Sequence, residues 1–359
     1  MSNFDLSALA LAAVCPGNEI LYDDKGMPSI MVKIPKMTYA QLGIGDSTAT
    51  FPAFIINGQE VDAIYISKYQ NIVQNGRAYS LPAQDPAVYT TFDQAVSYCE
   101  SKGAGWHLMT RLEWAALAHW CKKNGTMPKG NNNYGKDHSE TNYKAIPTYK
   151  DSNGSILRVA TGTGPLTWSH DGSPAGIWDL NGNVWEWVGG MRTVYGELQV
   201  LVNNNAADSA HSQAVSGAEW MAISGTDGSY ITPNGSGTTA NSVKLAWTGS
   251  AWKWSTTKDA SPAAHDCPFE NITADSSIGS AAQMVLQTLG VLKNDSTSGA
   301  YQSDHFWANS AEAERSFFCG GLWHDGALCG VFALGGSNAR SYSSYDVGFR
   351  AAFVKLPTA

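Results

Sequence analysis

The sequence predicts an α+β fold, and three observations lead there. Short runs of β-branched and aromatic residues are bounded by turn formers, as strands are. Between them, two stretches carry apolar residues at helical spacing, the second behind a hydroxyl cap. The composition, with 36 Gly, 13 Trp and only 15% charged residues, suits a loop-rich, aromatic-packed domain rather than a helical bundle or a disordered chain. At 359 residues and 43% hydrophobic content, the chain can bury one large core or two modest ones.

The elements follow in order. Residues 1–27 form an N-terminal arm. Its apolar run ends at Cys15, but it lacks a basic leader, carries Asp5 and places Val14 before the cysteine, so it reads as a short amphipathic helix rather than a targeting segment. Met31–Ile34 and Ala63–Ile66 read as strands. In Thr91–Lys102, Phe92, Ala95, Val96 and Cys99 fall on one helical face. Thr110 then opens a second helix, with Glu113 three residues on completing a capping box. That helix carries Leu112, Ala115, Ala116 and His119 and ends near Asn124-Gly125. Lys129–Asn142 is polar and asparagine-rich, hence a loop, and Trp168–Trp187 returns to aromatic core. The span of about 193–311 is rich in Gly, Ser, Thr and Asn and reads as a long insertion. Within it, VKLAWTGSAWKW predicts a hairpin turning at Thr248-Gly249-Ser250, and Ser280–Leu292 predicts a short helix. There is no internal repeat and no coiled coil.

Charge and cysteine usage exclude several classes. The net charge of −8 comes with no Lys/Arg cluster, which argues against nucleic acid as a partner. No run approaches the ~18 apolar residues of a membrane span, so no membrane insertion is expected. The six cysteines form no CxxC pair. Cys99 and Cys121 read as buried thiols, a Cys319–Cys329 bridge is conceivable, and otherwise no structural disulfide is expected.

The most informative stretch is Phe318–Val354, FCGGLWHDGALCGVFALGGSNARSYSSYDVGFRAAFV. Positions of demanding chemistry (Gly320, Gly321, Trp323, Gly326, Gly330, Phe332, Asn338, Arg340, Gly348, Phe349, Arg350) alternate at close range with positions that look arbitrary. The second set is Phe318, Leu322, His324, Asp325, Ala327, Leu328, Gly335, Ser337, Tyr342, Ser344 and Tyr345; it contains no Lys, Glu, Gln, Met or Trp. Such interleaving suggests a rigid frame carrying interchangeable contact side chains.

Three motifs carry a family resemblance: AGWHLMTRLEWAALAHW (Ala104–Trp120), GIWDLNGNVWEW (Gly176–Trp187) and the C-terminal order Gly-Gly-x-Trp, Asn-Ala-Arg-Ser, Val-Gly-Phe-Arg. Together they resemble the formylglycine-generating-enzyme type of C-type lectin domain. The resemblance implies two helices, irregular antiparallel sheets and a long insertion, over residues 28–359. Within that family the chain looks like the variable protein of a diversity-generating retroelement, in which rewritten Asn codons yield a residue set lacking Lys, Glu, Gln, Met and Trp. PSIMVKIPK, YISKYQN and MPKGNNNYG are similar to segments of such proteins. The implied variable region is about 318–350, with the eleven arbitrary positions as a contiguous, solvent-facing ligand site. Trp187, Gly320, Gly321, Trp323, Asn338, Arg340, Gly348, Phe349 and Arg350 would be scaffold, with Trp187 and Trp323 buried and the arginines pinning irregular backbone.

The family's enzymes supply calcium ligands from the segment that matches Asn183, Val184 and Glu186, so calcium is the one cofactor the resemblance admits. The same residues also read as a buried anchor in which Glu186 bonds backbone or an arginine. The enzymes' thiol pair would fall at Asp325 and Gly330, with Cys329 out of register, and the eight histidines show no HxxxH or HxH spacing. The reading is therefore of a non-enzymatic, hypervariable binding protein whose partner is a protein or glycan on a cell surface. It would be displayed on a phage virion or a bacterial surface. An enzyme of the formylglycine-generating or sulfoxide-synthase type is the alternative. A structural virion or surface-layer component and a lectin-fold surface with no dedicated role are further readings. Neither ligand identity nor oligomeric state is legible.

Overall fold

The computed structural model describes residues 3–143 and 145–356. Both expected central helices form, each behind a threonine cap. Helix α2 (Phe92–Glu100; α1 is the N-terminal helix Asn3–Val14) starts at Thr91, whose hydroxyl accepts from the Gln94 N–H while Gln94 caps back. Helix α3 (Arg111–Asn124) repeats the device with Thr110 and Glu113, and stops at Gly125, which takes the left-handed conformation at φ 67° that glycine adopts without strain. Helix α3 is buried nearly all round, not along one face. The reason lies in residues 193–311, whose helix α4 (Ser280–Thr288) and following turn cover it: Arg111 donates to the Leu289 and Gly290 carbonyls at 2.8 Å each.

Helix α1 forms, but not as an amphipathic element. Leu6, Leu9 and Val14 are exposed, and among the described side chains of the helix no apolar face packs on the domain. Among the described residues no helix is long and apolar enough to cross a membrane.

Two sheets organise the rest. A five-stranded antiparallel sheet runs, in spatial order, Asn18–Tyr22, Pro28–Pro35, Ala63–Ser67, Ala351–Val354 and Trp106–Leu108. The last strand of the chain thus sits between two early ones, with Ala352 opposite both Ile66 and His107. The larger sheet is built around β1 (Trp185–Val194), flanked by β2 (His305–Asn309), β3 (Arg315–Gly320), β4 (Gly330–Gly336) and β5 (Val347–Phe349). Strands run in the order β2-β4-β3-β1, and β5 adds to β1 in parallel. Residues 193–311 extend this same sheet on both sides. They supply Glu197–Val200 beside β1, the hairpin Lys244–Trp247/Trp252–Ser255 with Trp247 opposite Trp252, and β2 itself.

All six cysteines are free and buried. Cys319 Sγ accepts from Arg111 Nη1 at 3.1 Å and Cys329 Sγ donates to the Leu322 carbonyl at 3.2 Å, so the conceivable Cys319–Cys329 bridge is not made.

Candidate functional site

The site grows from three residues of β1. Successive strand residues point to opposite faces, so Glu186 enters one side of the sheet while Trp185 and Trp187 enter the other. On the Glu186 side lies a closed polar core. Arg350, fully buried, grips both Glu186 carboxylate oxygens at 2.8 Å and donates to the Ser67 and Trp178 carbonyls at 2.8 Å each. Gln70 Nε2 donates to Glu186 Oε1 at 3.0 Å and to the Val184 carbonyl at 3.1 Å. Asn183 Oδ1 accepts from Asn131 Nδ2 at 3.1 Å and from the Val159 N–H at 2.9 Å.

This donor set does not fit calcium at Asn183, Val184 and Glu186. The Asn183 amide oxygen, the Val184 carbonyl and both Glu186 oxygens already accept N–H donors, and the Arg350 guanidinium neutralises the one carboxylate of the set. The expectation of calcium there is corrected in favour of the buried anchor.

On the opposite side the C-terminal strands shape a cleft. β3 and β4 pair so that Phe318 lies directly opposite Gly335. The ring of Phe318 lies over that glycine: a Cβ on residue 335 would come within 2.1 Å of it. Phe318 then packs on Trp185 at 4.8 Å and on Trp187 at 5.0 Å between centroids. Trp307, from β2, meets Trp185 edge-on at 5.5 Å. Above this aromatic floor opens a cleft of about 250 Å³, lined by Trp185, Trp307, Phe318, Leu322, Asp325, Gly335, Ser337, Asn338, Tyr342, Asp346 and Val347.

Six of the eleven predicted contact positions therefore come together: Phe318, Leu322, Asp325, Gly335, Ser337 and Tyr342. The rest lie apart from the lining. Tyr345 packs at a tilt against Trp323, 5.3 Å between centroids, and exposed His324 packs beside Tyr134, forming a neighbouring patch. Ala327 and Leu328 are half-buried in a single 3-10 turn, and half-buried Ser344 accepts the Tyr89 N–H through its carbonyl. The expectation of a wholly solvent-facing surface needs correction at three positions. Phe318 and Leu322 are only 5% and 6% exposed, and Gly335 is buried, so the site is concave with a buried floor. Trp185, Trp307 and Asp346 were missed. No motif singles out Trp307, because it lies within the stretch whose composition reads as insertion.

The remaining scaffold positions hold the cleft's loops. Gly320 and Gly321 take φ of 95° and 90°, and a Cβ on Gly321 would strike Cys329 Sγ at 2.2 Å. A Cβ on Gly348 would meet the Ala87 carbonyl at 2.4 Å. Phe349 is buried. Arg340 donates to Glu314, Asp93 and the Gln213 carbonyl at 2.8–3.0 Å, tying the 337–346 loop to the start of α2. It pins two carboxylates and one carbonyl, where carbonyls alone were expected. Asn338 both accepts the Ser316 N–H through its carbonyl and lines the cleft.

Burial sets the local electrostatics. It raises the pKa of Asp325, against the pull of His324, with Asp346 adding to the rise. It pushes the Cys329 thiol well above its ordinary range, with no cation close by to favour the thiolate.

The Phe318–Gly335 contact makes a local prediction. Gly335→Leu will cost about 1–3 kcal/mol through overpacking. Adding Phe318→Ala will recover part of that loss, as contacting sites couple non-additively. Urea melts of the double-mutant cycle check this; strict additivity would mean the ring does not depend on the glycine.

The family model described as the sulfatase-modifying factor enzyme 1-like domain matches residues 18–354. No curated protein matches the chain. Among solved structures, PvdO from Pseudomonas aeruginosa is similar at 14% identity and a TM-score of 0.38, over 95% of this chain and 99% of that one. Treponema denticola variable protein 1 is similar at 12% identity and a TM-score of 0.34, over 95% and 100%. The Major Tropism Determinant P3c variant is similar at 12% and 0.30, over 94% and 71%. The α+β architecture is the formylglycine-generating-enzyme type of C-type lectin fold, and with the family match running from the first strand to the last, the chain belongs to the sulfatase-modifying factor enzyme 1-like family.

Proposed function

We propose that the chain is a hypervariable ligand-binding protein, the variable protein of a diversity-generating retroelement, displaying contact residues within about 318–350 on a lectin-type scaffold. The observation that carries this reading is the cleft, where Asp325, Ser337 and Tyr342 stand over the buried Phe318, Leu322 and Gly335 on a backbone fixed by Arg340, Arg350 and glycines that tolerate no Cβ. Aromatic and small polar residues make adaptable contact surfaces at low entropic cost. The ligand is a protein or glycan on a cell surface, and the chain is displayed on a phage or bacterial surface.

Catalysis of the kind the family name suggests finds less support. Cys329 is buried and bonded to a carbonyl, whereas a reactive thiolate needs exposure and a favouring charge.

Tyr342 and Tyr345 are the exposed aromatics of the region, at 36% and 41%. Each change to Ala should weaken binding to host cells about 10-fold or more, since aromatic anchors dominate binding hot spots. Cys329→Ser should leave binding intact. The triple replacement of Tyr342, Ser344 and Tyr345 by Asn should move stability by less than ~1.5 kcal/mol, which separates lost contacts from lost fold. A surface-binding assay with these variants decides: loss with Cys329→Ser alone, both Tyr variants binding normally, overturns the display reading. In the neighbouring DNA, a near-copy of the codons for 322–350 with adenines at the contact positions would support the retroelement origin.

A further inference from the structure

Resting on the binding reading above, we infer that the cleft takes the cationic end of a Lys or Arg side chain projecting from a protein ligand. Its lining carries complementary halves of a cation site. The floor and one side are aromatic: Trp185, Trp307, Phe318 and Tyr342. Ring faces attract alkylammonium and guanidinium groups, most strongly where water is excluded. The same lining is also acidic, through Asp325 and Asp346. Their charges are felt by one another, since Asp346 raises the pKa of Asp325 beyond what burial alone does. A cation between them relieves that repulsion.

Asp346 gives the sharpest indication. Its Oδ1 is buried and has no hydrogen-bond partner. Buried acceptors are nearly always paired; this one is closed to solvent, so a donor entering the cleft satisfies it once the Asp346 side chain turns toward it. Among the described residues, neither carboxylate is paired with a Lys or Arg. The one ion-pair neighbour is His324, whose Nε2 stands 3.8 Å from Asp325. The arginines bonded into the surrounding loops are already committed. Arg158 is held by Asp85 and the Tyr345 carbonyl, and Arg340 by Glu314 and Asp93. The local field is thus negative, offset only by His324 and His305 near Asp325, on a chain of net charge −8, which disfavours sulfate, phosphate or carboxylate ligands.

Size selects a side chain rather than a whole ligand. The cleft's 250 Å³ falls below the roughly 300–1,000 Å³ of pockets that enclose a complete small molecule. Around it, Tyr345 and His324 offer contact area that a protein would use and a free amine would not.

The test uses the full chain and four probes: capped tripeptides with a central lysine, arginine or Nε-acetyl-lysine, and free n-butylamine. Binding is read by calorimetry and saturation-transfer NMR. The lysine and arginine peptides should bind about 5-fold or more tighter than the acetylated one, the scale expected of a desolvated cation–aromatic contact. Asp346→Asn and Trp307→Ala should each remove most of that preference. If Asp346→Asn alters the near-UV circular dichroism, Asp325→Asn takes its place. No binding by either cationic peptide, equal binding of the acetylated peptide, or indifference to the Asp→Asn change overturns the inference. Butylamine binding as tightly as the lysine peptide overturns the assignment to a protein side chain. These failures leave the display reading standing as long as Tyr342→Ala and Tyr345→Ala still lower cell binding, so the two are separable.

Discussion

Arg350→Met is expected to destabilise the fold by about 3–5 kcal/mol, the cost of breaking a buried ion pair from one side. Arg350 is fully buried and Glu186 is 1% exposed. Removing the guanidinium strands a carboxylate that keeps one donor, Gln70, and also frees the Ser67 and Trp178 carbonyls. Those bonds join the last strand's start to three distant segments, so the loss falls on the whole domain. Pairing the change with Glu186→Gln should recover part of the cost, because no uncompensated charge is then left inside. Urea unfolding gives the answer through a lower midpoint at an unchanged slope. A shift under about 1 kcal/mol for the single variant would mean that water reaches Glu186, since an exposed pair is worth no more than that. Because Arg350 and Gln70 occupy the oxygens that calcium would need, a chelator should leave the parent's melting curve unchanged. A lowered midpoint would restore the metal.

How much of this was legible depends on the range over which each feature is determined. The capping box at Thr110 and the stop at Gly125 are settled within four residues, and sequence spacing suffices to find them; the box at Thr91 is just as local, although the spacing there is read only as a helical face. The Trp247/Trp252 hairpin is local in the same way. Insertion of Ala351–Val354 between Ala63–Ser67 and Trp106–Leu108 is not local, and nothing in those residues names their partners. The same holds for Trp307, which reaches the cleft only because β2 pairs with β4. Phe318 and Gly335 are buried where the sequence pattern suggests exposure, for a definite reason. β3 is covered on both faces, so its residues are buried without the alternation that marks a half-exposed strand. A glycine there reads as arbitrary until the ring that requires it is seen across the ladder. Helix α1 failed in the opposite sense: its leucines suggest an inward face, yet Leu6 and Leu9 stay exposed.

Trp187→Ala and Trp323→Ala are each expected to cost about 3–5 kcal/mol, through lost burial and the cavity left behind. Trp187 is fully buried in the centre of the larger sheet, meets Phe92 and Phe318 edge-on, and donates Nε1–H to the Thr90 carbonyl at 2.8 Å. Truncation removes the ring, strands that carbonyl and takes away part of the support for Phe318, so binding at the cleft should weaken along with stability. Trp187→Phe separates the contributions: it keeps most of the apolar contact and loses the hydrogen bond, for which about 1–3 kcal/mol is expected. Trp323, 1% exposed, packs against Tyr345 and accepts the Tyr134 N–H through its carbonyl. Its truncation should lower stability and also blunt any affinity that depends on Tyr345, whereas Tyr345→Ala should touch affinity alone. Thermal and urea melts beside a binding assay resolve the four cases. If both tryptophan variants melt like the parent, core and surface are inverted in this account, and the cleft cannot rest on the floor assigned to it.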